Sequence, residues 1–280
     1  MKLALKIDVP TLRGLREGVP ALVELLQRHG AGATFFFAVG PDGGGRFGRS
    51  LLPGADLGRR GGDAMRRVRD AGFETGLLGW NVARWRRHVV HADAPWTEAS
   101  LQKGVDEYRR IFGDAPPAHA AAGWQTNVHA LRMTQRLGFA YCSDGRGHAP
   151  HLPVGNAELI RCPQIPTTLP LLDECMAAGI DVQSLASHVL AGTGEAALAH
   201  VFALRADVEA LSLLPVVDQL LIGWKAQGYE LVALAAILAS VEPLALPRCE
   251  VALAPVAGRG PPVLLQGEEF LADVELPRAA

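Results

Sequence analysis

Long hydrophobic runs are missing from this chain of 280 residues. The longest, Leu231 to Ala239, covers nine residues and stops near Glu242, well short of the roughly 20 that span a bilayer. Cysteine is scarce as well: Cys142, Cys162, Cys175 and Cys249 form no C-x-x-C pair, and strand-like Leu3 to Ile7 stands where a basic-then-apolar leader would be. Reduced thiols in a cytoplasmic protein are therefore expected. Aromatic residues make up only 6%, so the core has to be built mainly from Ala, Leu and Val. A formal charge of −2 with 49% apolar residues excludes a polyelectrolyte or a disordered chain.

What is present is an alternation of short β-rich runs with amphipathic helical runs, the pattern of βα units around a parallel sheet or barrel. Leu3 to Asp8, Ala33 to Val39, Phe73 to Leu78, His119 to Gly123, Ala140 to Ser143, Leu159 to Gln164 and Val201 to Ala206 read as strands, with Glu230 to Leu234 a shorter eighth. Glu17 to His29 sets Val19, Leu22, Val23, Leu25 and Leu26 on one broad helical face and stops at Gly30; Leu213 to Gln227 repeats the pattern with Leu214, Val217, Leu220, Leu221 and Trp224. Seven or eight parallel strands favour one α/β barrel over residues 1–240, since no G-x-G-x-x-G follows the first strand to indicate an open doubly wound sheet. Functional residues are then expected at the carboxyl ends of strands. From Val241 onward six prolines break up the apolar fragments, so 241–280 reads as a Pro-rich extended tail packed on the barrel.

Charge is unevenly spread. From Arg46 to Arg87 ten arginines face four acids, a balance of +6, and the rest of the chain carries −8. The run around Arg59, Arg60, Arg66, Arg67 and Arg69 is either a solvated helix face or a surface toward anions such as phosphate or an acidic membrane. No stacking aromatics or recognised motif accompany these charges, which argues against a nucleic-acid partner.

Several motifs occur in a fixed order. They are Leu5-Lys6-Ile7-Asp8-Val9, Thr11-Leu12-Arg13-Gly14 and Glu17-Gly18-Val19-Pro20, then Phe35-Phe36-Phe37-Ala38-Val39-Gly40-Pro41-Asp42, Ala120-Ala121-Ala122-Gly123-Trp124-Gln125, Ser143-Asp144 with Arg146-Gly147, and Pro163-Gln164-Ile165-Pro166-Thr167-Thr168-Leu169-Pro170. Together they resemble the polysaccharide deacetylase (NodB-like) family, and within it the branch that deformylates formamido-arabinose on an undecaprenyl phosphate carrier. The resemblance implies a distorted (β/α) barrel and hydrolysis of an N-acyl group by a divalent metal, held by one Asp and two His.

Against that pattern the metal site is broken. Asp8 keeps the position of the family's catalytic base, but Pro10 replaces the metal-ligating carboxylate. Leu78-Gly79-Trp80-Asn81-Val82 stands where the family has His-x-x-x-His, a spacing that places two imidazoles on one side of a helical turn. Pro10, Leu78 and Val82 are thus degenerate metal positions, and no metal cofactor is expected. The family's late histidine, a proton donor, is Arg205, which stays protonated at workable pH and cannot act as a general acid. Without a metal worth several kcal/mol and a general acid worth about 10² to 10⁴ in rate, the ordinary reaction should be undetectable. The segment after Asp42 is shorter than the apolar and basic insertion of that branch, which leaves peripheral membrane contact open.

Arg205 reads either as an ion-pair partner of Asp8, standing in for the missing cation, or as a side chain pointing to solvent. Arg13, Glu17, Trp124, Asp144 and Arg146 match positions around the family's pocket, where they would offer an aromatic face and charged groups to a sugar. Arg13 with Glu17, and Asp144 with Arg146, are equally readable as internal pairs. His88 and His91 with Asp93 read as surface residues or as a short metal cluster; His148 and His151 flank Pro150 near the Asp144/Arg146 motif. Cys142, on an apolar strand, reads as core, and the chain has no G-x-S-x-G elbow. The expectation is a catalytically impaired deacetylase-like pseudoenzyme that binds a sugar or sugar-phosphate ligand or a protein partner. An active carbohydrate N-deacylase with a non-standard site is the alternative.

Overall fold

The computed structural model describes residues 1–43, 55–194, 199–257 and 259–270; Arg46, Arg49, most of the shortened segment after Asp42, and Pro277 of the tail lie outside them. Strands are β1 (Lys2–Val9), β2 (Thr34–Ala38), β3 (Glu74–Gly79), β4 (Ala118–His119), β5 (Tyr141–Cys142), β6 (Leu152–Gly155), β7 (Glu158–Leu159), β8 (His200–Arg205), β9 (Glu230–Val232), β10 (Arg248–Ala254) and β11 (Val263–Glu269). Helices are α1 (Val19–His29), α2 (Leu57–Asp70), α3 (Val82–His88), α4 (Ala94–Phe112), α5 (Val128–Arg136), α6 (Leu172–Ala177), α7 (Leu185–Ala191), α8 (Glu209–Ser212), α9 (Leu214–Ala226) and α10 (Leu234–Leu238).

The main sheet is parallel and curls in the order β5-β4-β3-β2-β1-β8. β1 is its axis, and every residue from Leu3 to Val9 is buried, as a strand covered on both faces requires. β9 pairs with the first residues of β1, Lys2 to Ala4, before β2 takes over at Lys6. Helices pack outside. α1 starts with Pro20 in its first turn, buries Leu22, Leu25 and Leu26, and ends on Gly30 at φ 58°, a left-handed conformation that suits glycine.

Two expected strands come out differently. Of Leu159 to Gln164, only Leu159 joins a ladder, antiparallel to β6 and outside the main sheet. The gap between β5 and β8 is instead filled by residues 163–169: Cys142 N donates to Pro163 O (2.8 Å) and Ile165 N to Cys142 O (2.7 Å), while Thr168 N and Leu169 N both donate to Val201 O (3.1 and 3.2 Å). Pro163, Pro166 and Pro170 lack N–H donors, so this wall cannot form a regular strand. His119 to Gly123 stops pairing after His119, because the chain turns through Gly123 (φ 68°) and Trp124 (φ 56°).

A second sheet, β11-β10-β6-β7, brings the Pro-rich region to the barrel: β10 pairs in parallel with β6, and β11 returns antiparallel. Among the described residues no helix is long and apolar enough to cross a membrane.

Close packing between the turn after β1 and the end of β8 sets the geometry of the barrel mouth. A Cβ added at Gly18 would lie 1.8 Å from the backbone oxygen of Ala206. Gly18→Ala is expected to cost about 3 kcal/mol or more, since a backbone atom cannot yield as a side chain can. Urea unfolding checks this, and an unchanged midpoint would refute the packing.

Candidate functional site at the barrel mouth

Strand alternation puts Lys6 and Asp8 on the same face of β1, pointing into the barrel. The Lys6 side chain is wholly buried, yet it carries an ammonium group. Its Nζ donates to Ser143 O (2.8 Å), lies 3.9 Å from Asp8 Oδ1, and sits over the rings of Trp124 (5.1 Å) and Phe36 (5.7 Å). Burial lowers the pKa of Lys6, with Asp8 and Asp144 acting in the opposite direction. Burial likewise raises the pKa of Asp8, opposed by Lys6 and then Arg205. Asp8 Oδ1 accepts no hydrogen bond.

A cavity of about 40 Å³ opens beside Asp8 at the carboxyl ends of the strands. Pro10, Leu78 and Val82 line it together, so the three degenerate metal positions do meet in space. They do so through a strand-to-helix turn rather than one helical turn: Leu78 ends β3, Gly79 has φ 130°, and Val82 opens α3. That corrects the helical reading of the spacing. All three present carbon where ligands would be, which leaves an ion a single carboxylate, so these residues do not fit a divalent metal.

The rest of the wall is cationic. Arg86 of α3, Arg205 of β8 and Arg259 of the β10–β11 connection line the same cavity with Trp124. Arg205 stands opposite Asp8 in strand register. The expected Asp8–Arg205 ion pair nevertheless does not form, because the guanidinium turns to Asp207, with Nε to Oδ1 at 3.2 Å and Nη2 to Oδ2 at 3.1 Å. Lys6 is the cation at Asp8.

Trp124 is 3% exposed and has no open face for a sugar, contrary to expectation. Its indole N–H donates to Thr167 Oγ1 (3.1 Å), and Lys6 (5.1 Å), Arg259 (4.7 Å) and Arg146 (5.4 Å) crowd the ring. Arg146 and Arg259 both donate to Glu174 Oε1, at 2.7 and 2.8 Å. Burial alone would raise the pKa of Glu174, but the Leu171 N–H and these two arginines outweigh it and hold the carboxyl below its usual value. Arg13 and Glu17 pair with each other at 3.0 Å, both well exposed and away from the cavity wall. Asp144 does not pair with Arg146; it takes His119 Nδ1 at 2.8 Å and the Gln164 side-chain N–H at 3.2 Å.

His119, Cys142 and Asp144 place one donor atom each within 4.8 Å of one another, all buried. The His119–Asp144 separation of 2.8 Å is shorter than the about 3.3 Å between two tetrahedral zinc ligands, so an ion has to part this hydrogen bond before it enters. His88 and His91 are exposed, and Asp93 is engaged as the N-cap of α4, accepting from Trp96 N (3.0 Å). His148 is exposed, whereas His151 is buried, which pushes its pKa down to about 4.

Three contributors escaped the sequence reading. Lys6 sits within a motif but looks like a surface residue of a strand; Arg86 is one of ten arginines in its stretch; Arg259 belongs to the proline-rich region, where no periodicity marks a site.

A curled parallel barrel with a carboxylate at the end of its first strand and a mouth walled from β3, β4 and β8 defines a deacetylase-type hydrolase fold. No model of a known protein family matches the chain. It is 31% identical over 266 residues to the probable 4-deoxy-4-formamido-L-arabinose-phosphoundecaprenol deformylase of Shewanella sediminis, covering 85% of this chain and 86% of that one. The corresponding protein of Wigglesworthia glossinidia brevipalpis is 25% identical over 226 residues, 71% and 79% of the two chains. Among solved structures, a protein of Mycobacterium smegmatis assigned as a polysaccharide deacetylase superposes with a TM-score of 0.66 at 16% identity, over 91% of this chain and 95% of that one. A CE4 family pseudoenzyme from Bacillus anthracis superposes with a TM-score of 0.54 at 13% identity, over 85% and 65%. The chain belongs to the polysaccharide deacetylase (NodB-like) family.

Below the mouth, Glu209 is buried and accepts the Arg205 N–H at 2.7 Å. Burial pushes its pKa up from 4.5 to about 7. A carboxyl with a raised folded-state pKa binds its proton more tightly when folded, so its contribution is complete below about pH 4.5 and is lost as pH rises to about 7. Glu209→Gln keeps the acceptor and removes the titration. Denaturant unfolding from pH 4.5 to 7 should show wild type losing on the order of 3 kcal/mol relative to the variant. Parallel curves would show that Glu209 titrates as an ordinary carboxylate.

Proposed function

We propose that this chain is a deacetylase-family barrel without metal-dependent hydrolysis, and that its mouth holds the anionic group of a sugar phosphate. The observation that carries this reading is the meeting of Pro10, Leu78 and Val82 on one cavity wall beside Asp8, with arginines completing it. Arg86, exposed on α3, reaches over the cavity, and its side chain has no hydrogen bond or ion pair among the described residues. Burial and then the positive charges of Arg205 and Arg259 lower its pKa, the mark of a cation that an anion would relieve. A space of about 40 Å³ takes a water or a small anionic group rather than a sugar ring, which would stay outside.

In this reading Arg86 and Arg205 bind, Asp8 and Lys6 set the local potential, and the described residues of the proline-rich region, 241–257 and 259–270, act as a rim that supplies Arg259. No resident metal cofactor takes part. The cytoplasm suits its four buried, unpaired cysteines. That a solved neighbour is named a pseudoenzyme, and a variant of it one with restored activity, supports a family barrel that persists without its chemistry. A protein-partner role has less behind it, since the large apolar side chains exposed on the described surface, Met1, Val182, Ile222 and Leu244, lie on separate segments.

One observation favours a second reading, an active N-deacylase: the buried His119–Cys142–Asp144 group is a donor set from which a metal site could be rebuilt. Metal content after incubation with zinc and dialysis separates the two. Near-zero stoichiometry is expected, together with no formate or acetate released from formamido or acetamido sugars. One held ion per chain, lost in Cys142→Ser, together with release of formate or acetate, would establish the second reading instead. Inorganic phosphate should raise the melting temperature, and Arg86→Ala should weaken that effect about tenfold or more, given roughly 1.5–3 kcal/mol for a hydrogen bond to a charged group. The combination of Pro10→Asp, Leu78→His and Val82→His should gain zinc binding, because the three positions already face one cavity.

A further inference from the structure

Helix α3 has two working sides. Val82 and Arg86 line the mouth, whereas Arg84, Arg87 and His88 border two adjoining hollows of about 170 and 460 Å³ on the outside of the barrel, which share Arg84 and Trp96. Trp80, Trp85 and Lys103 complete the smaller hollow; His91 and Asp93 complete the larger. Trp96, half-buried, rests on Trp85 with ring centroids 5.9 Å apart and planes at 28°. Arg84 lies over Trp96 at 5.9 Å, near the outer limit of about 6 Å for a cation–π contact, so a ligand can displace it without a large loss.

The charges here are unbalanced. Among the described residues the side chains of Arg84, Arg87 and Lys103 form no hydrogen bond or ion pair. The acid of the groove, Asp93, already accepts the Trp96 N–H at 3.0 Å. His88 meets the Trp96 ring edge-on at 6.1 Å and does not converge with His91 and Asp93 into a metal-donor group, since such a group among the described residues forms only at His119, Cys142 and Asp144. Unneutralised cations beside an accessible indole are the two halves of one recognition chemistry: the apolar face of a sugar ring stacks on the indole, and a negative substituent meets the guanidinium groups.

We propose that the outer side of α3 is a second binding site, for a saccharide that carries a phosphate or a carboxylate, its ring against Trp96 and its anionic group at Arg84, with Arg87 of the larger hollow and Lys103 of the smaller adding positive charge on either side. The site is separate from the mouth and does not rest on the reading given there.

Indole N–H resonances report the two places independently, Trp96 for the groove and Trp124 for the mouth. Titration of the isotope-labelled protein with glucose 6-phosphate, glucuronate, glucose and inorganic phosphate should move the Trp96 signal saturably with one or both charged sugars, at least tenfold more tightly than with glucose or phosphate alone. Arg87→Glu and Lys103→Glu, both on exposed residues, should each weaken that response about tenfold without shifting the remaining spectrum. Which charged sugar acts distinguishes phosphate from carboxylate. A response confined to Trp124, or equal binding of inorganic phosphate, or a Trp96 response that survives both charge reversals, would overturn the proposal. A Trp96 response with Trp124 silent would uphold it while removing the mouth reading.

Discussion

The mouth of this barrel is organised by a lysine amine that is wholly buried. Lys6 cannot be solvated where β1 places it, so the surrounding chain has to supply what water would. The Ser143 carbonyl, the Asp8 carboxylate and the Trp124 ring do so, from β1 itself and from the ends of β4 and β5. Each of those groups is then committed. Trp124 is turned over Lys6 through a left-handed backbone conformation that tryptophan rarely adopts, and its ring draws in Arg146 and Arg259. Those two arginines in turn require Glu174, whose oxygen they share.

This chain of dependence accounts for the chemistry of the site. A metal-dependent hydrolase needs oxygen and nitrogen donors facing a cation from outside the fold. Here the positive charge is covalently part of β1, and the facing positions Pro10, Leu78 and Val82 are carbon. In the proposed reading, a lysine built into β1 takes the place beside Asp8 that a diffusible cation would take, and Arg86, Arg205 and Arg259 make the rest of the wall favourable to an anion. Arg205 leaves that place to Lys6 and pairs with Asp207 two residues away.

Much of the architecture was legible in the sequence because β1, β2, β3 and β8 carry short, mainly apolar runs that are buried along most of their length. The wall at residues 163–169 was misplaced because proline removes the regular ladder while leaving a few donors, at Ile165, Thr168 and Leu169, that bond to strands far along the chain. The convergence of Pro10, Leu78 and Val82 was readable from ordered motifs. The partners of Arg205 and Trp124 were not, since a charged side chain of this length chooses among acids within several ångströms, and that choice depends on loops between strands. Lys6 was the hardest: charge patterning treats a lysine as solvated, and only a barrel interior makes it otherwise.

The position of Arg259 has a consequence for how the mouth is put together along the chain. Lys6 and Asp8 lie on β1, and every other strand of the parallel sheet also precedes the β10–β11 connection in sequence. Glu174 and the face of Trp124 therefore have Arg146 as their earlier partner in sequence and Arg259 as their later one. The strands of the barrel are complete in sequence by β9, but the mouth takes its full set of charges only with a connection that follows them. The order of the chain thus separates the strands that build the barrel from the connection that completes its rim.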